Sequence, residues 1–437
     1  MLYFLYRIFG FGLFFLLFPG IWFYKRIRGQ HCRHLAERFG HVPEDAVKRL
    51  SDSPRIWIHA VSLGEVKVAG SIIEALKRLI PGCSIIVSSM TEHGRNLARE
   101  AFGNEIAVVY APIDLLGPVR KALSAIRPDV LVFLETEIWP AWLFEAKRMG
   151  IKTALINGRI SVRSIDRYLR LRPFFREVLK NFDLFSMISE EDARRVRSMG
   201  APSQKIVVNG NAKYDTLKSD VGHGVAKKIR KLLNLETSQK VFIAGSTRHG
   251  EEEMVLNAYE KVLKEFPETI LIIVPRHIER ATAITSMIEG RGLKCRLRTE
   301  IGSNRAKRTE QVIVIDSFGE LFDLYSVGTV VFCGASLVPL GGQNPLEPAV
   351  WGGVVLYGPS MEDFSDAKDL LESAGASVPV SGPEELGEKA VWLLGHPEEA
   401  KKYGERAREV VLRNRGVAQR HAKAIEGLLR CASLRPP

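Results

Sequence analysis

The sequence predicts an α/β protein made of two doubly wound, parallel-sheet domains behind an apolar N-terminal segment. Three observations carry that prediction. Short apolar, β-branched runs alternate with helix-periodic segments along most of the chain, which is the pattern of βαβ units. The alternation lapses in a polar stretch at 216–238 and then restarts. The 437-residue length exceeds what one core usually organises and suits two domains of roughly 150–200 residues. The expected layout is an anchor at 1–28, a first domain at 29–215, a linker at 216–238 and a second domain at 239–437 that includes the terminal helices.

The first segment, "MLYFLYRIFGFGLFFLLFPGIWFYKRIRG", is apolar and aromatic apart from Arg7 until Lys25. Ile8 to Tyr24 carries no charge, near the lower limit for crossing a bilayer. No small-residue cleavage site follows, which argues against a cleaved signal peptide. Lys25, Arg26 and Arg28 come next, and positive charge on that side predicts that the remainder stays cytoplasmic. The expectation is a single uncleaved anchor, spanning or deeply interfacial. A buried N-terminal helix is the plainer alternative.

In the first domain "RIWIHAV" reads as a strand and "EVKVAGSIIEALKRLI" as a helix stopped by Pro81-Gly82. "SIIVSSM", "IAVVYAP", "DVLVFLE", "KTALIN" and "LFSMIS" follow as strands with helices between them. In the second domain "KVFIAGS", "TILIIVP", "KCRLR", "QVIVID", "TVVFCG" and "GVVLYG" repeat the pattern. Two such domains imply a cleft, with ligands at the carboxyl ends of strands near the switch point.

The formal charge is +12, which favours polyanionic partners: nucleic acid, an anionic membrane or a phosphorylated substrate. Five scattered cysteines (Cys32, Cys83, Cys295, Cys333, Cys431) lack metal-ligand spacing, and no His/Cys cluster or strand-end Asp-x-Asp pair exists, so a catalytic metal is not indicated.

The strand-to-helix turns hold the candidate chemistry. Ser62-Leu63-Gly64-Glu65 has the spacing of a capping box, so Glu65 either caps a helix or acts as a base at the mouth of a sheet. A helix N-terminus is expected to lower its pKa. In "FLETEIWPAW" a strand ends with Glu135 and Glu137 beside Trp139, and alternation would put both on one face of an extended chain. Gly245, Ser246 and Thr247 precede a helix and offer backbone N–H groups to an anion, although the P-loop ending is absent. Pro275-Arg276-His277 ends a buried strand with a phosphate-binding residue type. Phe318-Gly319-Glu320 opens a helix whose amides suit a nucleotide. Gly342 permits close backbone approach, and Asn344-Pro345-Leu346-Glu347 starts a helix with a carboxylate suited to ribose hydroxyls.

Taken together, "HAVSLGE", "SSMTEHGRNLA", "YAPIDL", "ETEIWP", "INGRIS", "SEEDARR", "NGNAKYD", "AGST", "PRH", "GELFDLY" and "GGQNPLEP" resemble, in order, the Kdo transferase family. Kdo is 3-deoxy-D-manno-octulosonic acid, a sugar of lipopolysaccharide. The resemblance covers about residues 30 to 425 and implies a two-domain glycosyltransferase of the B fold (two Rossmann-like domains) at the inner membrane. It implies CMP-Kdo as donor, a lipid A precursor as acceptor, inversion at the anomeric carbon, no metal or other cofactor, and no nucleic-acid partner. By position, Glu65 matches the family's base, while Glu135 and Lys213 match residues that stabilise the transition state. Pro275, Arg276, Phe318, Gly319, Glu320 and Asn344 to Glu347 match CMP-binding segments. The sequence departs from the family at "GPSMEDF", where Ser360 and Asp363 replace His and Asn, and at Arg248, which precedes His249 in a Gly-Ser-Thr-His turn. Two other readings remain: a B-fold transferase using a UDP-sugar, and a membrane-anchored protein that binds anionic lipid without turnover.

Overall fold

The computed structural model describes residues 34–103, 105–217, 223–301 and 309–433. The segment expected to anchor the chain, 1–28, lies outside the described residues. Among the described residues no helix is long and apolar enough to cross a membrane.

The described residues form two compact units, one of residues up to 216 together with 415–433, the other of residues between 217 and 414. The first holds seven parallel strands: β1 Arg55–His59, β2 Ser84–Ser89, β3 Ala107–Tyr110, β4 Val130–Leu134, β5 Lys152–Gly158, β6 Leu184–Met187 and β7 Ile206–Val208. Their order is β3-β2-β1-β4-β5-β6-β7. The chain winds outward from β1, then returns beside it at β4, so the switch point falls between these two strands. The second unit repeats the plan with β8 Val241–Thr247, β9 Ile270–Pro275, β10 Cys295–Leu297, β11 Val312–Val314, β12 Val330–Cys333, β13 Val354–Tyr357 and β14 Ser377–Pro379. Their order is β10-β11-β9-β8-β12-β13-β14, and the switch point lies between β8 and β12.

Strand alternation builds two cores per sheet. Ile56 and Ile58 enter one core of the first unit and Trp57 the other. Helix Leu63–Leu79 covers the Ile face with Val66, Ala69, Ile73 and Leu76, spaced one turn apart, and ends just before Pro81 and Gly82, which has φ +86°. The short edge strands β7 and β14 are absent from the sequence reading. Each has three residues, too few to show alternation against turn-like neighbours.

Two expected boundaries differ. The polar stretch 216–238 contains helix His223–Leu232, and Ile229, Leu233 and Leu235 are buried in a core of the second unit. The last helix, Val417–Ser433, belongs to the first unit rather than to the second domain. Val417, Ala418, Ala422 and Ile425 complete the core above helix Leu63–Leu79. Asp215 accepts from Gly416 N at 2.7 Å and Ala418 N at 2.5 Å at this helix's start. His421, buried and held neutral with its pKa pushed down to about 4 chiefly by burial, sits 2.8 Å from Ser186 Oγ.

Candidate active site

The three carboxylates expected to do chemistry in the first unit, Glu65, Glu135 and Glu137, follow β1 and β4 at its switch point. Ser62 leaves β1 in an extended conformation and caps helix Leu63–Leu79. Its Oγ accepts from Glu65 N at 3.3 Å and donates to Glu65 Oε1 at 2.9 Å. The second carboxylate oxygen accepts from Val61 N at 2.8 Å, one residue earlier than a capping box requires. Glu65 is buried. Burial pushes its pKa up, the Val61 amide and the Ser62 hydroxyl pull it down, and the charges of Glu135 and Glu137 raise it again, leaving it at about 7. The expected lowering by the helix end is therefore overturned: desolvation and two like charges outweigh a cap.

Glu135 does not continue β4. The strand ends at Leu134, and Glu135 turns into the left-handed region at φ +53°. An extended strand putting Glu135 and Glu137 on one face is thus replaced by a turn. Hydrogen bonds hold that strained backbone: Glu135 N donates to Ile156 O, and Arg159 N to Glu135 O, both at 3.1 Å. Lys213 Nζ lies 3.0 Å from Glu135 Oε1. The lysine is placed by Asn211, whose Oδ1 accepts from Lys213 N at 3.0 Å, and by Asn157, whose Oδ1 accepts from Ala212 N at 2.8 Å. Glu137 accepts from Trp139 Nε1, and burial raises its pKa, partly offset by that bond and reinforced by Glu135. The first unit thus brings Glu65, Glu135, Glu137 and Lys213 together.

A buried aromatic bed under this cluster was not foreseen from sequence. Trp57 Nε1 donates to Ser88 Oγ at 2.8 Å, and Ser88 Oγ is 3.0 Å from His59 Nδ1. Burial drives the His59 pKa down to about 3, so the ring is neutral. Its edge meets Trp139 at 5.4 Å, and Trp139 holds Glu137. A lone histidine in an apolar strand gives no such signal in the sequence. Asn157, in "INGRIS", was likewise not singled out. A cavity of about 530 Å³ lined by His34, Arg49, Arg95 and Arg99 lies at the β3 edge and takes in none of these carboxylates.

In the second unit β8 runs through Thr247, and its helix starts only at Glu251. Gly245, Ser246 and Thr247 are therefore strand residues, not the helix-start anion cradle expected. A Cβ at Gly245 would stand 2.2 Å from Tyr325 Oη, and Ser246 takes φ +56°. A buried carboxylate at the helix start instead gathers amides from the turns that follow β8 and β12. Glu251 Oε2 accepts from Arg248 N at 2.9 Å and Ala335 N at 2.6 Å, and Oε1 from Ser336 N at 2.9 Å and Leu337 N at 3.0 Å. This ties the ends of β8 and β12 together at the switch point. Burial still leaves the Glu251 pKa raised against those four bonds.

The remaining expected nucleotide residues occupy neighbouring strand ends. Pro275 is buried at the end of β9, while Arg276 and His277 are exposed. Arg248 Nη1 lies 2.7 Å from His277 Nε2. Phe318 is 77% exposed beside Gly319 at φ +84°. Glu320 is tied to Arg298 Nε at 2.8 Å and accepts from Ser317 Oγ. Gly342 has φ +78°, and a Cβ there would meet Met361 Sδ at 2.4 Å. Asn344 Oδ1 accepts from Leu346 N at 3.2 Å, and Pro345 precedes helix Leu346–Val350, which carries Glu347 in its first turn. Of the residues that depart from the family pattern, Ser360 Oγ accepts from Gly341 N at 2.9 Å and Asp363 N donates to Gly341 O at 3.0 Å, so both brace the glycine turn. Among the described residues no group of three His, Cys, Asp or Glu side chains could hold a metal ion.

Residues 33–216 match the family described as 3-deoxy-D-manno-octulosonic-acid transferase. A probable mitochondrial 3-deoxy-D-manno-octulosonic acid transferase of Arabidopsis thaliana is 30% identical over 381 residues, 86% of this chain and 84% of that protein. The chain belongs to the Kdo transferase family. A bifunctional glycosyltransferase/methyltransferase of Fusobacterium nucleatum is 34% identical over 325 residues, 74% of this chain, which spans half of that protein's length. Among solved structures, a glycosyltransferase from Rickettsia africae aligns with a TM-score of 0.60 at 15% identity, covering 87% of this chain and 99% of that one. That likeness concerns fold alone and sets this chain's two parallel-sheet α/β units with the glycosyltransferase B fold.

Proposed function

We propose that this Kdo transferase takes Kdo from CMP-Kdo and delivers it, with inversion and without a metal, to a lipid A precursor, a tetraacyl disaccharide bisphosphate. Glu65 serves as the general base. The acceptor's primary hydroxyl oxygen bonds to the anomeric carbon of Kdo, the bond from that carbon to the phosphate oxygen breaks, and CMP leaves with the electron pair. The hydroxyl proton goes to Glu65. A carboxylate near pKa 7 is stronger as a base than an ordinary one, and about half of it is ionised at neutral pH. Lys213 supplies positive charge against the Kdo carboxylate and the developing phosphate charge, with Glu135 fixing its position. The glycine turn at 341–342 and the segment Asn344 to Glu347 hold the nucleotide. The apolar segment at 1–28 attaches the enzyme to the inner membrane, with both units on the cytoplasmic side.

The observation that carries this reading is the raised, buried Glu65 beside the Lys213–Glu135 pair in a member of this family. The test is a detergent assay with CMP-Kdo and the tetraacyl precursor, with EDTA present, comparing wild type with Glu65→Gln. Transfer by wild type and loss of turnover with CMP binding retained in the variant supports it. Normal transfer by Glu65→Gln reduces Glu65 to a cap. An inert wild type removes the donor or the acceptor assignment.

A further inference from the structure

The cavity at the β3 edge of the first unit takes no part in the chemistry assigned above. It holds about 530 Å³, the size of a pocket for a small organic molecule. Its lining is basic: Arg49, Arg95, Arg99 and His34 stand against two carboxylates, Glu37 and Asp45. Three guanidiniums against two carboxylates leave one positive charge in excess, and a second when His34 is protonated. Glu37 is already committed, since its Oε1 accepts from Arg95 Nη2 at 2.9 Å and its Oε2 from Tyr110 N at 2.8 Å. Asp45 is exposed, with Arg49 Nη2 at 3.8 Å.

Arg95 is the buried member of the group, 3% exposed. Its guanidinium lies over the Tyr110 ring at 4.4 Å from the centroid, so its place is fixed before a ligand arrives. Donor capacity is left over: Nη1 is 3.4 Å from His34 Nε2, and Nε has no hydrogen-bond partner among the described residues. Arg99 follows one turn later on helix Glu92–Phe102 and shares the Arg95 face. Like charges at that spacing destabilise a helix, and an anion held between them removes the repulsion. The remaining wall is apolar, with Ala46, Ile106 and Val108. A ligand that fills the space therefore carries a carbon body as well as a charge.

The cavity is also separate from the carboxylate cluster. β3 is the edge strand, with β2 between it and β1. Ala107, in the lining, opens β3 at its amino end, whereas Glu65 and Glu135 follow the carboxyl ends of β1 and β4 in the same parallel sheet.

We propose that this cavity binds a water-soluble phosphorylated small molecule, its phosphate held by Arg95, Arg99 and Arg49 and its carbon body against Ala46, Ile106 and Val108. Guanidiniums meet phosphate oxygens in pairs, and three of them match a dianion with three free oxygens better than a single carboxylate. The site does not depend on the donor and acceptor proposed above.

The test is calorimetry on the full chain in detergent, with glycerol 3-phosphate as the probe and CMP present in excess. Wild type is expected to bind the probe saturably. Arg49→Ala/Arg99→Ala, which alters two exposed positions, is expected to bind it about tenfold more weakly, and Lys213→Ala to bind it as wild type does. No saturable binding by wild type, or equal affinity in the double variant, overturns the site. Loss of binding in Lys213→Ala places the probe at the carboxylate cluster and overturns it too. Glycerate bound as tightly as glycerol 3-phosphate overturns phosphate as the group recognised. Hydrogen exchange on wild type decides the matter without a variant. Slower exchange across 95–103 with glycerol 3-phosphate than with sodium chloride of equal ionic strength supports the proposal. Equal exchange in both, or slowing by phosphatidylglycerol vesicles alone, overturns it.

Discussion

Lys213 Nζ lies 3.0 Å from Glu135 Oε1, joining a residue at the end of the first sheet's chain path to one at its centre. The pair neutralises one of three neighbouring carboxylates. Lys213→Ala leaves Glu135 uncompensated, with its charge acting on Glu65. The expected outcome is a kcat lower by roughly 100-fold and a pH–rate midpoint displaced upward, with partial recovery in Lys213→Arg. Initial-rate kinetics across pH check this; an unchanged midpoint would mean that Lys213 serves structure only.

The pH profile itself follows from Glu65. Its carboxyl is raised from 4.5 to about 7 in the folded chain. The base must be ionised, so activity is expected to rise with pH through a midpoint near 7, and that limb is expected to vanish in Glu65→Gln.

Stability runs the other way. A raised carboxyl favours the folded state while protonated, so its contribution is complete below 4.5 and is lost as pH rises through about 7. The interval corresponds to on the order of 3 kcal/mol. Glu65→Gln is expected to melt higher than wild type at pH 8 and alike at pH 4.5, measured by thermal unfolding at both values. Glu137 shares the direction and leaves a residual slope in the variant.

Glu251 clamps Ala335, Ser336 and Leu337 to the start of its own helix. Glu251→Gln turns one acceptor into a donor facing backbone N–H groups. A loss of about 3 kcal/mol is expected in denaturant unfolding, together with weaker CMP binding measured by calorimetry. Unaltered CMP affinity would detach the 335–337 loop from the nucleotide site.

Deleting 415–437 removes Val417, Ala418, Ala422 and Ile425 from the first unit's core. The truncated chain is expected to lose the cooperative melting of that unit, while a fragment of 217–414 folds. Limited proteolysis and calorimetry distinguish this from a terminal helix that merely decorates the surface.

Much of the architecture is legible in local pattern. Ile56, Trp57 and Ile58 alternate between two cores, and the next helix repeats its apolar residues by the turn, so β1 and Leu63–Leu79 follow from periodicity. Ser62 as a cap is equally local. β7 and β14 were missed because three-residue edge strands have no periodicity to read. The 216–238 stretch looks like a linker because helix His223–Leu232 shows few apolar positions, yet Ile229 and Leu233 are buried.

Two wound α/β units, their strand-end turns and the residues at those turns are written in local pattern, because periods of 2 and 3.6 are properties of neighbouring residues. Tertiary structure alone decided which turns meet. Strand order puts β1 beside β4, and so sets Glu65 against Glu135 seventy residues later. Burial then reversed the effect of the helix end on Glu65, and the last helix returned to the first unit because its apolar face fits a core there. Such outcomes depend on desolvation and on contacts between distant segments, which no local pattern encodes.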